Sequence, residues 1–519
     1  MEPVFALGQN KAKMLEKMRI YAAFVHIFAA VGTAGGICLL NLLPLALYRY
    51  KVDLVVYQQA LALLSVPWTS QAIVGAVSDT FPIRLWYKRY YLIASFLAFS
   101  FGLLVTGIIT TAPWGSFSAA TAALSICSFS VVVIVTLADG HAANLQTYFN
   151  INRRLMPFNK VVELVGSILA AVIVGSMAGA YENYVYFIAV PFALQALYPL
   201  VVSPHDSFPG DHRTEFKDES LIQSSEGITW YRPESYRISA SKEEWRLVKL
   251  LSLLGIVMII PIAASDNIFV YVLVASFVGI ASIAYLMSVY PEDPAFYSVC
   301  TFVMLNEIFN TNIKAALDAF YTMPDSPVCK TGGPQLDLLF YFSTVTLLTG
   351  VGGVASATLY AFWADKFTVR QVTQAAIVIG MLSSFADISI AMEWSSIPDK
   401  FLFVLGDGVV APAARIMIET ATEVWVANSI KSAVTTKFAI FSSFKNLGAL
   451  QSYVLGLMLT KGMGVQADMD TGCSYISFVK LVMTAKLCLP ILAIGAAYIL
   501  LPNAPLPATI YVPLISKKA

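Results

Sequence analysis

Ionisable residues are scattered through stretches of this 519-residue chain that are otherwise apolar enough to cross a bilayer. Glu307, Lys314 and Asp318 share one such run, Asp387 stands in another, and Asp407, Arg415 and Glu419 share a third; Lys437 and Lys445 follow. A charge at the centre of a membrane helix costs about 2.5–3.5 kcal/mol on insertion scales, so each of these needs a partner or a task. At 1.5 Å per residue Glu307 lies about 15 Å into its run, near the midplane, and Arg415 and Lys445 reach a similar depth. Asp318 and Asp387 fall near the outer interface, where a side chain can snorkel. Arg415 and Glu419 share one helical face and can pair, while Pro412 bends the same helix. One reading is a set of structural ion pairs between neighbouring helices. The other is a cavity wall on which Asp407 and Arg415 offer opposite charges at two heights, and in which Glu307 or Asp407 could exchange a proton.

The elements that must position these groups are membrane helices. The chain is 58% hydrophobic and 13% charged, with mean hydropathy +0.71; soluble domains carry about 45–50% apolar and about 25% charged residues. Disorder, a fibrous repeat and an ordinary soluble enzyme are excluded. The net charge of +1 leaves no basic face for a nucleic acid. Apolar runs long enough to span occur at about 20–48, 54–77, 90–111, 117–140, 159–181 and 184–203. Eight more follow at about 247–264, 268–290, 297–322, 338–362, 370–392, 400–427, 434–460 and 477–501, about fourteen in all. Between the two sets lies the most polar stretch, 204–246, whose end, Ser241 to Glu244, fits a capping box opening the next helix.

Lys11, Lys13, Lys17 and Arg19 precede the first run without a signal-peptide pattern, which by the positive-inside rule puts the N-terminus in the cytoplasm. Arg84, Lys88 and Arg89, then Arg153, Arg154 and Lys160, fall on the same side, and helix parity returns the C-terminus there. An internal repeat supports the threading. GAVSDTFPIRLWYKR (Gly75, Asp79, Arg84, Lys88, Arg89) and YAFWADKFTVR (Asp365, Lys366, Arg370) each end a helix on an acid and place bases before the next. That is the layout of the major facilitator loop, in which a carboxylate can hold basic residues and latch the inward side shut. Ordinary topogenic charge is the competing reading. The repeat implies a six-helix bundle (1–203), a cytoplasmic linker (204–246), an inserted helical hairpin (247–290) and a second six-helix bundle (291–519). Cys329 and Cys473 lie in polar connectors that parity places outside together, where they are a bridged pair or two free thiols.

The stretch Val66-Pro67-Trp68 through Gly75, Ser78, Asp79, Phe81, Pro82 and Ile83 to Arg89 and Tyr90 resembles the signature of the folate–biopterin transporter family, a major facilitator branch. GGICLLNLLPLALYRYKVDL is similar to that family's first helix, and ALDAFYT (316–322) and GDGVVAPAARIMIETATEVWVAN (406–428) to its seventh and tenth. Gln71 and Ala72 depart from the usual lysine-proline pair, and Leu85-Trp86 from the usual glycine. The resemblance implies an all-α major facilitator fold of two six-helix bundles and import of a folate or pterin. It also implies that the first, fourth, seventh and tenth helices line the cavity. A carboxylate, Glu307 or Asp407, would accept N–H bonds from the 2-aminopyrimidine edge, Arg415 would meet the glutamate carboxylates of folate, and Trp68 is a candidate to stack on the ring, although packing is its commoner role.

No HExxH, Cys/His cluster or phosphate-binding G-x-x-x-x-G-K-[ST] sequence occurs, so neither metal hydrolysis nor ATP-driven pumping is indicated, and no cofactor is expected. The expectation is a monomeric, multi-pass secondary transporter in the plasma membrane, not an enzyme, with both termini cytoplasmic. Its partners would be a small-molecule substrate, protons and lipid. The alternatives are a transporter of a cationic metabolite such as S-adenosylmethionine or choline, favoured by the excess of buried acids and 13% aromatic content, and a polytopic receptor or membrane enzyme.

Overall fold

The computed structural model describes residues 24–81, 89–149, 155–197, 241–264, 267–323, 332–363, 366–394, 396–429, 434–468 and 472–503. They form a helical bundle. In chain order its helices are α1 (His26–Arg49), α2 (Leu54–Ser78), α3 (Arg89–Thr111), α4 (Phe117–Phe149), α5 (Leu155–Met177) and α6 (Val185–Gln195). Then come α7 (Lys242–Ala263), α8 (Ile268–Val289), α9 (Pro294–Phe309), α10 (Lys314–Thr322) and α11 (Phe340–Tyr360). The last four are α12 (Val369–Ala391), α13 (Asp399–Val426), α14 (Val434–Gly462) and α15 (Phe478–Leu500). Among the described residues, ten helices are long and apolar enough to cross a membrane. The remaining apolar runs are accounted for by the shorter α5 and α6, by the interrupted pair α9–α10, and by α14, which carries Lys437, Lys445 and Lys461.

Local chemistry sets several helix ends. Asp53 accepts a hydrogen bond from the Val55 N–H at the start of α2, Asn267 from Phe269 and Val270 at the start of α8, and Asp293 from Phe296 just ahead of Pro294 in α9. The capping box expected at Ser241 and Glu244 is present. Glu244 has a second role, accepting a 2.8 Å bond from Tyr290 and so tying the start of α7 to the end of α8. This hairpin packs against α2 where Pro67 turns that helix into a 3-10 segment, Val66–Ser70. The approach is close enough that a Cβ at Gly255 would meet the Thr69 hydroxyl. The opposite face of α8 is strongly apolar and exposed, with Phe269, Leu273, Phe277 and Ile280 outward, as a lipid-facing surface requires.

One departure from the sequence reading bears directly on function. The run 297–322 is not one helix. It breaks at Asn310–Ile313 between α9 and α10, and side chains from two other helices satisfy the released backbone. Gln58 of α2 donates to the Asn312 carbonyl (2.9 Å) and accepts from the Ala315 N–H (3.0 Å), capping α10. Ser452 of α14 accepts from the Asn312 N–H (2.8 Å) and donates to the Asn310 carbonyl (3.2 Å). Irregular backbone inside a membrane survives only with such replacements. Gly448 and Gly456 of α14 let the two backbones come together: a Cβ at Gly456 would sit 1.9 Å from the Asn312 oxygen. A short antiparallel ribbon, β1 (Gln466–Asp468) with β2 (Gly472–Ser474), joins α14 to α15.

Candidate functional site

A cavity of about 430 Å³ lies beside the break, within the range that holds a single small organic molecule. Its wall comes from α9 to α15 and includes Glu307, Asp318, Tyr341, Asp407, Arg415 and Lys486. Among the described residues, none of the α7–α8 hairpin and none of α1 to α6 lines it. The three charged residues singled out in sequence, Glu307, Asp407 and Arg415, therefore share one cavity.

The charges fall into two groups. In the first, Arg415 donates to Glu307 through Nη2 (3.4 Å) and to Glu419 through Nε (3.2 Å), while Lys445 bridges Glu419 (3.2 Å) and Glu423 (3.4 Å). The pairing of Arg415 with Glu419 across one helical turn follows the expected i, i+4 geometry. In the second, Lys486 of α15 donates to Asp387 (2.6 Å) and to both oxygens of Asp407 (2.9 and 3.1 Å). Tyr321 adds a 2.6 Å bond to Asp387. Alongside, Asp318 accepts from Lys314 (2.9 Å), from Tyr341 (2.5 Å) and, across from α2, from Tyr57 (2.8 Å).

Asp318 and Asp387 thus do not snorkel toward an interface. Their side chains are 1% and 0% exposed, held by lysines and phenols inside the bundle. Lys486 is one of two bases in the run 477–501; Lys480 lies near the start of that run and Lys486 deeper in it, and that depth is the signal by which it could have been found. Tyr341 stacks on Phe403 at 5.3 Å and 16°, and Tyr321 packs against the same ring at 4.5 Å. An aromatic wall therefore runs between the carboxylates. Asp407, Lys486 and Tyr341 all sit in π-helical segments, Val404–Val410, Thr484–Cys488 and Phe340–Thr344; such segments recur at functional sites because they shift side chains out of the regular helical register.

Trp68 is not among the lining residues; it lies partly buried in the 3-10 segment of α2, packed on the core, and its carbonyl accepts from Asn446 at 3.1 Å. Arg370 is engaged elsewhere, donating to the Leu501 carbonyl (3.0 and 2.7 Å) and lying over the Tyr498 ring. Arg84, Lys88, Asp365 and Cys329, with the side chains of Asp79, Arg89 and Cys473, lie outside the described residues. Among the described residues no group of His, Cys, Asp and Glu could hold a metal ion.

Solved structures share this architecture. A D-xylose–proton symporter matches with a TM-score of 0.55 at 13% identity, over 94% of this chain and 98% of its own. A POT family transporter in complex with 5-aminolevulinic acid matches with 0.59 at 10% identity, over 94% and 95%. The nucleoside transporter NupG matches with 0.54 at 11% identity, over 94% and 98%. No curated protein matches the sequence. At such identities the likeness establishes the major facilitator fold alone; the ten long apolar helices make the chain a multi-pass membrane protein. The sequence profile of the BT1 family matches residues 31–510, nearly the whole chain, and the chain belongs to that folate–biopterin transporter family.

Proposed function

We propose that the protein is a secondary active transporter, not an enzyme, that carries a folate or pterin by alternating access together with protons. One observation carries this reading: the cavity interleaves carboxylates, cations and aromatic rings on a scale that fits a flat, amino-substituted heterocycle with an anionic tail. Glu307 accepts the N–H bonds of the 2-aminopyrimidine edge. Tyr341 and Phe403 supply ring faces, taking the part first considered for Trp68, and Arg415 meets a carboxylate with its planar fork. Glu307 and Asp407 are the acids that exchange protons. Asp79 with Arg84, Lys88 or Arg89 forms the cytoplasmic latch, with Asp365 and Arg370 as its counterpart in the second half. The division into two bundles around the 247–290 hairpin, residence in the plasma membrane as a monomer and cytoplasmic termini complete the reading. Family membership supports a transporter; the cavity chemistry supports this class of substrate.

A second reading has an observation of its own. Glu307, Asp318, Asp387, Asp407, Glu419 and Glu423 outnumber Lys314, Arg415, Lys445 and Lys486 around the cavity, and an acidic excess favours a cation. Uptake of radiolabelled folic acid, biopterin, S-adenosylmethionine and choline in a transport-deficient host decides between them. Saturable, pH-dependent uptake of the first two supports the folate–pterin reading. Uptake confined to the last two refutes it.

A further inference from the structure

The group Asp387–Lys486–Asp407 sets two carboxylates on one ammonium. They are not equivalent. Asp387 is wholly buried and accepts two bonds at 2.6 Å, from Lys486 and from Tyr321, so it and the ammonium form a closed pair. Asp407 faces the cavity, its side chain 21% exposed, and among the described residues its side-chain donor is the ammonium that Asp387 already neutralises. The other charged and titratable groups facing it are Lys314, Asp318 and Tyr321 of α10 and Tyr341 of α11. Lys314 is committed to Asp318 at 2.9 Å, and Tyr321 and Tyr341 donate to Asp387 and Asp318. Arg415, two turns along the same helix, is taken by Glu307 and Glu419. With all three members ionised the triad holds one negative charge that no neighbouring base is placed to cancel, and both acids occupy the donors of Lys486.

We propose that Asp407 takes up the coupling proton and that its protonation frees Lys486 to receive an anionic group of the substrate. The step forms one O–H bond on Asp407 and brings the triad from one negative charge to neutral; a substrate carboxylate then occupies the vacated donor of Lys486. A carboxylate arriving first would place three anions on one ammonium. Proton and substrate anion therefore favour each other's binding, and the coupling is reciprocal. Asp387 is the positioning residue: its closed pair with Lys486 keeps the ammonium charged and aimed. The proposal rests on the proton-coupled folate reading and adds Lys486 and Asp387 to it.

The test uses the purified full chain. Binding of folic acid to wild type should tighten by about tenfold or more between about pH 7.5 and 5.5. Asp407→Asn, which imitates the protonated acid, should bind with the low-pH affinity at both. Asp387→Asn/Lys486→Gln removes the buried ammonium with its buried counter-ion; it should lose folic acid by about tenfold or more while biopterin, which has no carboxylate, changes only a few-fold. Wild-type pH dependence persisting in Asp407→Asn, or undiminished folic acid binding in the double variant, overturns the proposal. The proton step has a readout that needs no substrate. Infrared titration of wild type minus Asp407→Asn should show a protonated-carboxyl difference band that grows as pH falls from about 7.5 to 5.5; absence of that difference band overturns the proposal. Wild type that binds neither folic acid nor biopterin refutes the folate–pterin reading instead, and the infrared result still decides the proton step.

Discussion

Replacing Gln58 by leucine removes an amide that one helix lends to the broken backbone of another, with little change in side-chain volume. Gln58 is 1% exposed, and its amide reaches the Asn312 carbonyl at 2.9 Å, the Tyr453 carbonyl at 3.2 Å and the Ala315 N–H at 3.0 Å. Tyr453 lies inside a regular helix and keeps its helical hydrogen bond. The Asn312 carbonyl and Ala315 N–H sit at the break and have no helical substitute. A buried polar group left without a partner costs about 1–3 kcal/mol, so the two together cost about 2–6 kcal/mol. Even about 2 kcal/mol is about thirty-fold in an equilibrium constant. These bonds join α2 to α10, elements that the proposed rocking of two halves would separate, so the loss should fall on the state described here and shift the population toward others. Spin labels at Lys51, just ahead of α2, and Ser396, in the connector between α12 and α13, both exposed, read that shift as a changed distance distribution. Expected are a new dominant distance and a lowered melting midpoint. An unchanged distribution with an unchanged midpoint would refute the claim that Gln58 holds the break in this state.

Arg415→Lys keeps the charge but cannot serve Glu307 and Glu419 from one planar fork; apparent affinity for folic acid should fall by about tenfold with biopterin less affected, measured as KM for each in uptake assays. Gly456→Ala drives a Cβ against the Asn312 oxygen and should destabilise the purified protein by about 1–3 kcal/mol, whereas Gly462→Ala, with nothing within 4 Å, should not, both read as melting midpoints. Tyr341→Phe removes one of three donors to Asp318 while keeping the ring that stacks on Phe403. It should cost about 1.5–3 kcal/mol of stability, the usual worth of a bond to a charged group, without abolishing substrate binding.

Much of the fold was legible because hydropathy is a property of segments. Fourteen apolar runs, the capping box at Ser241 and the Arg415–Glu419 pair all follow from composition and short spacing. The interruption at Asn310–Ile313 was not. No proline or glycine marks it; the only hint is the recurrence of Asn306, Asn310 and Asn312, polar residues that an apolar average absorbs. Partners were harder still. Distance along a run places Asp318 and Asp387 at an interface, yet burial depends on what stands opposite, and Lys486 lies 99 residues from Asp387 and 79 from Asp407. The π-helical segments add a further obstacle. One extra residue turns the helical face by about 100°, so a regular wheel drawn through Val404–Val410 or Thr484–Cys488 aims Asp407 and Lys486 the wrong way.

The cavity wall drawn wholly from α9 to α15 separates two tasks that an interface between moving parts would have to share. A receptacle built astride the seam of two rocking bodies must remake its fit at every stroke. Here the cup is carved into α9 to α15, and in the proposed alternating-access cycle the elements of the first half would slide past it as a door. On that proposed cycle recognition would stay constant while access alternates, and bonds such as Tyr57 to Asp318 and Gln58 to the broken strand of backbone would tell the cup which way the door stands.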